Sequence, residues 1–177
     1  MSIKSSVGAF GASACRVEEM SAGLFRRAEA EKCMSKLDAI IEEFQDLDAR
    51  DRLELLLDFA EKLAELPEAY QAERDAGLRR VPECMTPTFL WVECISGRAS
   101  IHAYVAPEAP TVKGFVSILV EAYNGTMPDE IAAIPADLLH RLGLAELLGM
   151  NRLRGLNAVQ QRLKNQIGKA AVWAVDV

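Results

Sequence analysis

Apolar residues in the first half of the chain recur at the three- and four-residue spacing of amphipathic helices. The first apolar stripe consists of Leu37, Ile40, Ile41, Phe44 and Leu47. The second stripe consists of Leu53, Leu56, Leu57, Ala60, Leu63 and Ala64. Asp48 lies between them as an N-cap, and Pro67 would end the second helix because proline lacks a backbone N–H. The pattern predicts an antiparallel helix pair joined by a short turn.

The spacing changes to the alternation of β-strands in the middle of the chain. Residues 88–94 are rich in aromatic and β-branched side chains, and residues 98–105 alternate between apolar and polar. The dipeptide Ser96-Gly97 between them is a turn signal, so the two segments predict a β-hairpin. Residues 78–81 could supply a further short strand before the hairpin.

The remainder of the chain is predicted to be helical, in segments separated by proline and glycine. One helix covers roughly residues 111–123 and stops at Asn124-Gly125, and short helices follow Pro128 and Pro135. The apolar positions of a long last helix are Leu153, Leu156, Val159, Leu163 and Ile167. The order of elements predicts an α+β domain in which helices pack on one face of a small antiparallel sheet.

Composition narrows the class of protein. The chain has 177 residues, half of them hydrophobic, and a formal net charge of −6. An acidic chain lacks the dense basic surface that general binding to nucleic acid or anionic membranes requires. Its apolar runs are too short to span a bilayer. We therefore expect a soluble, cytoplasmic protein.

The cysteines and histidines do not have the spacing of a metal site. The four cysteines are Cys15, Cys33, Cys84 and Cys94, and no two of them form a CxxC pair. The two histidines, His102 and His140, lack companions for metal or nucleophilic chemistry and are expected to be structural. A chain of this size needs no disulfides, so free thiols and no bound metal are expected.

Residues 1–35 differ from the rest because they are rich in small residues and show no sustained apolar period. We expect this segment to be a disordered extension or to result from an upstream start codon, with Met34 as the natural start. The alternative is a targeting presequence, which the glutamates between Glu18 and Glu31 disfavour. A single domain is predicted over residues 36–172, followed by a short tail over residues 173–177.

Cys84 stands out because it lies between Pro82 and Pro87, where the helical pattern ends and the strand pattern begins. Each proline fixes φ and removes a backbone donor, so the cysteine should lie in a short, stiff connection. Free cysteines are usually buried, whereas loops often carry function. Its position therefore makes Cys84 the first candidate for chemistry.

Three short segments carry a resemblance to a known family. Residues 81–86 read Val-Pro-Glu-Cys-Met-Thr, residues 112–115 read Val-Lys-Gly-Phe, and residues 151–156 read Asn-Arg-Leu-Arg-Gly-Leu. In the SufE family the corresponding segments are a loop with a Gly-Cys-Gln-Ser core, a Val-Lys-Gly-Leu helix start and a Ser-Arg-x-x-Gly-Leu segment. From Leu37 to about Lys169 the chain resembles this family.

The resemblance implies an α+β fold and a role for Cys84 as a sulfur acceptor. In the family this cysteine takes the terminal sulfur of a persulfide held on a cysteine desulfurase and passes it towards an iron–sulfur scaffold. The partners implied are therefore a SufS-type desulfurase and a downstream scaffold. The pyridoxal phosphate cofactor would belong to the desulfurase, and this chain would be an accessory protein, monomeric or weakly dimeric, rather than a stand-alone enzyme.

The Cys84 segment departs from the family pattern. Glu83 replaces the usual glycine and places a negative charge beside the thiol, which should disfavour the thiolate. Arg79, Arg80 and Lys113 could offset this charge. Met85, Thr86 and Phe89 stand where the family has glutamine, serine and tryptophan. The residues predicted to contact a partner are Arg80, Glu83, Thr86, Lys113 and Arg152.

Several roles stay open at this point. Lys113 could belong to the partner surface or be a solvated side chain, and Arg152 could anchor a partner acid or pair with Glu146. Cys94 is expected in the core, with a resolving thiol for Cys84 as the alternative. An iron–sulfur scaffold and a regulatory partner that carries no sulfur are the rival functions. The first would need several converging cysteine ligands.

Overall fold

A computed structural model describes residues 36–173. Its helices are α1 (residues 36–45), α2 (Ala49–Lys62), α3 (Glu68–Asp75), α4 (Pro110–Tyr123), α5 (Pro128–Ala132), α6 (Leu138–Arg141) and α7 (Met150–Trp173). Strands β1 (Thr88–Ile95) and β2 (Arg98–Val105) lie between α3 and α4. The predicted α+β class is confirmed.

The N-terminal helix pair forms as its apolar stripes predict. Asp48 is the N-cap of α2, and its carboxylate accepts hydrogen bonds from the backbone N–H groups of Arg50 and Asp51, at 2.8 and 3.0 Å. The rings of Phe44 in α1 and Phe59 in α2 lie 5.9 Å apart between centroids and join the two helices. The cap and the paired rings fix where the first helix ends and the second begins.

The sheet is smaller than predicted. β1 and β2 pair antiparallel with Thr88 opposite Val105 and Ile95 opposite Arg98, so the predicted hairpin is confirmed. The possible strand at residues 78–81 is reduced to one isolated bridge between Arg80 and Phe89. The chain leading into β1 therefore adds no third strand to the sheet.

The main core lies on one face of this hairpin. Helix α7 packs on β1, α4 packs on β2, and α2 packs on α4 from the outside. Gly114 allows the last contact, because a Cβ atom there would overlap the backbone carbonyl oxygen of Leu56. The glycine of the Val-Lys-Gly-Phe segment therefore has a packing role between two helices.

Helix α3 was not predicted, because its polar sequence has no apolar period and none of its residues is buried. It covers part of the opposite face of the sheet. Tyr70 contacts the rings of Trp91 and His102, with centroids 5.4 and 5.0 Å away. Helices therefore lie on both faces of the hairpin, the second face holding only a small cluster around Phe89 and Trp91.

Some predictions concern residues outside the described range. They are the predictions for the N-terminal extension, which includes Cys15, Cys33 and Met34, and for residues 174–177 of the predicted tail. Among residues 36–173, no helix combines the length and the apolar character needed to cross a membrane.

Candidate functional site

Cys84 lies in the segment that connects α3 to β1, residues 76–87, which we call the Cys84 loop. As predicted, it lies outside any helix or β-ladder. The incoming limb of the loop is tied to β1 by two backbone hydrogen bonds. Val81 N–H donates to Thr88 O over 2.8 Å, and Leu90 N–H donates to Arg79 O over 3.2 Å. The ends of the loop are thus fixed while its tip lies free of the sheet.

The thiol of Cys84 is free and is turned into the protein. The residue is only 3% exposed. Its sulfur lies against Gly155 in the second turn of α7, where a Cβ atom would come within 3.3 Å of Sγ. The Asn-Arg-Leu-Arg-Gly-Leu segment therefore supplies the surface on which the thiol rests, and glycine is the residue that leaves room for it.

A second contact to the sulfur comes from the first residue of β1. Thr88 is fully buried, and its Oγ1 lies 3.6 Å from Cys84 Sγ, within the range of an O–H···S hydrogen bond. The same hydroxyl lies 3.2 Å from the carbonyl oxygen of Thr86. Sequence reasoning overlooked Thr88 and Gly155 as site residues, although both lie in or beside the quoted segments.

The neighbours of Cys84 point the opposite way. Glu83 is exposed, and Met85 is 83% exposed. Met150, at the start of α7, is another exposed apolar residue, at 66%. The carboxylate of Glu83 is therefore on the solvent side of the loop, whereas the thiol is on the protein side. The structure thus separates two groups that are adjacent in sequence.

The incoming limb of the loop is also held by α3. Glu73 Oε2 accepts a hydrogen bond of 2.8 Å from the indole N–H of Trp91 and lies 3.4 Å from Arg79 Nε. Arg79 has a φ of 63°, in the left-handed region that non-glycine residues seldom adopt. Helix α3 thereby connects the outer face of the sheet to the start of the Cys84 loop.

The predicted partner residues fall into two places. Arg80, Glu83 and Thr86 belong to the Cys84 loop, and Arg152 is exposed in the first turn of α7, three residues before Gly155. Lys113 instead lines a separate groove of about 330 Å³ between the α2–α3 connection and β2. None of the residues lining that groove belongs to the Cys84 loop.

The arrangement offers one thiol for chemistry. Cys94 lies near the far end of β1, six residues beyond Thr88, which is about 20 Å along a strand. Two cysteines that far apart cannot form a disulfide without rearrangement. Among residues 36–173, no group of three or more histidine, cysteine, aspartate or glutamate side chains could hold a metal ion.

Comparison with known proteins gives one consistent family. Residues 38–167 match the model of the SufE family, described as an Fe-S metabolism associated domain. An uncharacterized SufE-like protein of Mycobacterium tuberculosis is 37% identical over 135 residues, covering 76% of this chain and 92% of that protein. A SufE-like protein of Rhizobium meliloti is 29% identical over 138 residues, covering 75% and 95%.

A solved structure agrees with this match. The solution structure of a hypothetical protein from Thermus thermophilus superposes with a TM-score of 0.68 and 34% identity, over 77% of this chain and 96% of that chain. The similarity therefore extends over the whole α+β domain and is not confined to the Cys84 loop.

Proposed function

The chain belongs to the SufE family, which gives it a role in Fe–S metabolism, and we propose that it is the sulfur acceptor of a SufS-type cysteine desulfurase. Cys84 takes the sulfur as a persulfide, stimulates the desulfurase by removing its product, and delivers the sulfur to an iron–sulfur scaffold. The observation that carries this proposal is a free thiol on a loop that is hydrogen-bonded to the sheet at its ends and has no ladder hydrogen bonds at its tip.

The transfer is a thiol–disulfide type of exchange and needs no external oxidant. The Cys84 thiol loses its proton, and its thiolate attacks the terminal sulfur of the persulfide on the desulfurase. A new S–S bond forms on Cys84, the old S–S bond breaks, and the desulfurase cysteine leaves as a thiolate that takes up a proton. Sulfane sulfur changes carrier, and the numbers of electrons and protons balance.

The loop has the mechanical properties that this reaction needs. A thiolate nucleophile must approach the persulfide in line, inside the active site of another protein. The buried sulfur of Cys84 can reach such a site only if the tip of its loop turns outward. Because the loop has no ladder hydrogen bonds at the tip, this movement leaves the hairpin intact.

The surroundings of the loop support a protein partner. Met85 in the loop and Met150 at the start of α7 are exposed apolar residues, and Arg80 and Arg152 on the same two segments are exposed and positively charged. Apolar anchors with arginine are enriched at protein interfaces. In this proposal pyridoxal phosphate belongs to the desulfurase, the chain acts in the cytoplasm as a monomer or weak dimer, and Lys113 contributes through a different surface or not at all.

Mass spectrometry tests the proposal directly. After incubation with a SufS-type desulfurase and cysteine, Cys84 should carry an adduct of about 32 Da, the mass of one sulfur atom. Cys84→Ser should carry no adduct and should not stimulate the desulfurase. Cys94→Ser is the matched control, since it removes the other described thiol from the same strand region and should behave as the wild type.

The other outcomes identify the rival functions. Stimulation of the desulfurase without an adduct on Cys84 would mean a regulatory partner that carries no sulfur. A stable iron–sulfur cluster on the chain after anaerobic reconstitution would mean a scaffold. Either result would overturn the acceptor proposal.

A further inference from the structure

We propose that Thr88 is the positioning residue for sulfur transfer, and that its hydroxyl holds the Cys84 sulfur inside the closed loop. The proposal rests on the acceptor function given above and adds a residue that the family motif does not contain. Thr88 reaches the sulfur directly, which distinguishes it from the exposed charged residues of the loop.

The geometry ties three parts of the Cys84 loop to this single residue. The backbone carbonyl of Thr88 accepts the N–H of Val81 from the incoming limb, over 2.8 Å. The side-chain hydroxyl lies 3.2 Å from the carbonyl of Thr86 in the outgoing limb and 3.6 Å from Cys84 Sγ at the tip. Thr88 itself is fixed, because it is fully buried and paired with Val105 in the sheet.

The Thr88 hydroxyl has one proton and two candidate acceptors, the Cys84 sulfur and Thr86 O, so it can donate to only one of them at a time. While Cys84 is a thiol, its S–H can donate to Thr88 Oγ1, and Thr88 can donate to Thr86 O. Both limbs and the sulfur are then satisfied. The hydroxyl therefore connects the sulfur at the tip to the carbonyl of the outgoing limb.

Two substitutions separate the hydroxyl from the shape of the side chain. Thr88→Val removes both side-chain hydrogen bonds and retains the branched shape, whereas Thr88→Ser retains the hydroxyl and removes a methyl group. The backbone bond to Val81 survives in both variants. Thr88→Ala is a second variant without a hydroxyl and avoids crowding in case the valine variant does not fold.

The first measurement is the rate at which iodoacetamide alkylates each cysteine of the free protein, followed by mass spectrometry of the separate peptides. Thr88→Val should raise the rate at Cys84 about tenfold, the factor that corresponds to about 1.4 kcal/mol. Thr88→Ser should stay near the wild type. The rate at Cys94 is an internal control and should not change, since Cys94 lies at the other end of β1 from Thr88 and is already partly exposed in the folded protein.

The second measurement is the concentration of protein that gives half-maximal stimulation of the desulfurase. Thr88→Val should lower this concentration, because opening of the loop no longer opposes binding, and Thr88→Ser should restore the wild-type value. A merely structural role would raise it by reducing the folded fraction. A wild-type rate at Cys84 in both Thr88→Val and Thr88→Ala would overturn the proposal.

The acceptor function of Cys84 and the holding role of Thr88 can be contradicted independently of each other. If the wild type never acquires the sulfur adduct but Thr88→Val still reacts faster at Cys84, the acceptor function is wrong and the holding role of Thr88 stands as a property of the loop. If the adduct forms and Thr88→Val alkylates like the wild type, the acceptor function stands and the role of Thr88 is wrong.

Discussion

The two described cysteines lie at opposite ends of β1 and differ in an unexpected way. Cys84 precedes the strand, in a loop with no ladder hydrogen bonds at its tip, yet it is buried. Cys94 lies inside the strand, paired with Ala99 across the hairpin, yet it is only half-buried. The more accessible thiol therefore lies within the β-ladder, and the buried thiol lies outside it.

Under the proposed acceptor function, the buried Cys84 and not the partly exposed Cys94 serves the partner, so resting exposure would not identify the reactive thiol. A persulfide on another protein can be reached only by a sulfur that travels with its backbone, and a strand residue would have to break its ladder to do so. Burial between Gly155 and Thr88 also limits the access of small oxidants to the Cys84 sulfur. Cys94 is partly exposed to oxidants, and its backbone is paired in the β-ladder.

The largest effect is expected from Gly114→Ala, which should erase the difference between the two cysteines. The new Cβ would overlap the Leu56 carbonyl oxygen, and a backbone atom cannot move aside as a side chain can. We expect the free energy of unfolding to fall by about 3 kcal/mol, measured by urea denaturation. Alkylation of Cys84 should then accelerate towards the rate of Cys94, because global unfolding exposes its buried sulfur whereas Cys94 is already partly exposed.

Gly168→Ala is the matched control for this substitution. Gly168 lies in α7, and a Cβ atom there would meet nothing within 4 Å. Alanine should therefore stabilise the helix by up to about 1 kcal/mol. An equal loss of stability in both variants would contradict the packing role of Gly114.

The contrast itself predicts a difference in reactivity in the free wild-type protein. We expect iodoacetamide to modify Cys94 at least about tenfold faster than Cys84, because most closed loops must open before the buried sulfur reacts. Unfolding in urea should bring the two rates together. Faster modification of Cys84 in the native protein would mean that the loop is open at rest.

A smaller and selective effect is expected from Gly155→Ala. Its Cβ would lie 3.3 Å from Cys84 Sγ, so the sulfur must shift by a few tenths of an ångström or leave its site. Alkylation of Cys84 should rise by roughly threefold to tenfold, and Cys94 should be unaffected.

A double-mutant cycle tests this contact. In a Cys84→Ala background the crowding disappears, and Gly155→Ala should then stabilise the protein by up to about 1 kcal/mol through helix propensity alone. The same stability change in both backgrounds would mean that Gly155 and the sulfur are not coupled.

The smallest effect is expected from a change at Tyr70, whose phenol interacts with Glu93 in β1. Burial, followed by a hydrogen bond to Glu93, raises the pKa of the Tyr70 phenol above its usual value of 10.0. Because the folded state disfavours the ionised phenol, this stabilising contribution is complete below pH 10 and is lost as pH rises through the folded pKa. Tyr70→Phe should therefore lose less stability than the wild type between pH 9 and about pH 11. If the urea midpoints of the wild type and Tyr70→Phe changed in parallel over this pH range, the result would contradict the hydrogen bond between Tyr70 and Glu93.

Local patterns predicted much of the architecture. The N-terminal helix pair, the hairpin with its turn at Ser96-Gly97, and the last helix all follow from apolar spacing and from proline and glycine. Helix α3 escaped prediction because it is held by Tyr70 and by the Glu73–Trp91 hydrogen bond, and no apolar stripe marks such contacts. The third strand became a single bridge because its pairing with β1 is limited to the two backbone hydrogen bonds of Arg79 and Val81, on either side of Arg80.

The sequence alone placed Cys84 in a proline-bounded connection between a helix and a strand, because proline acts through its own φ and its missing N–H. Only the tertiary structure decided that the thiol points inward, that Glu83 points outward, and that Gly155 and Thr88 hold the sulfur between them. Gly155 lies in the last helix, far from Cys84 along the chain, and meets it only because α7 packs on β1. Contacts between such distant segments leave no local period in the sequence, so the chain encodes them only through the complete fold.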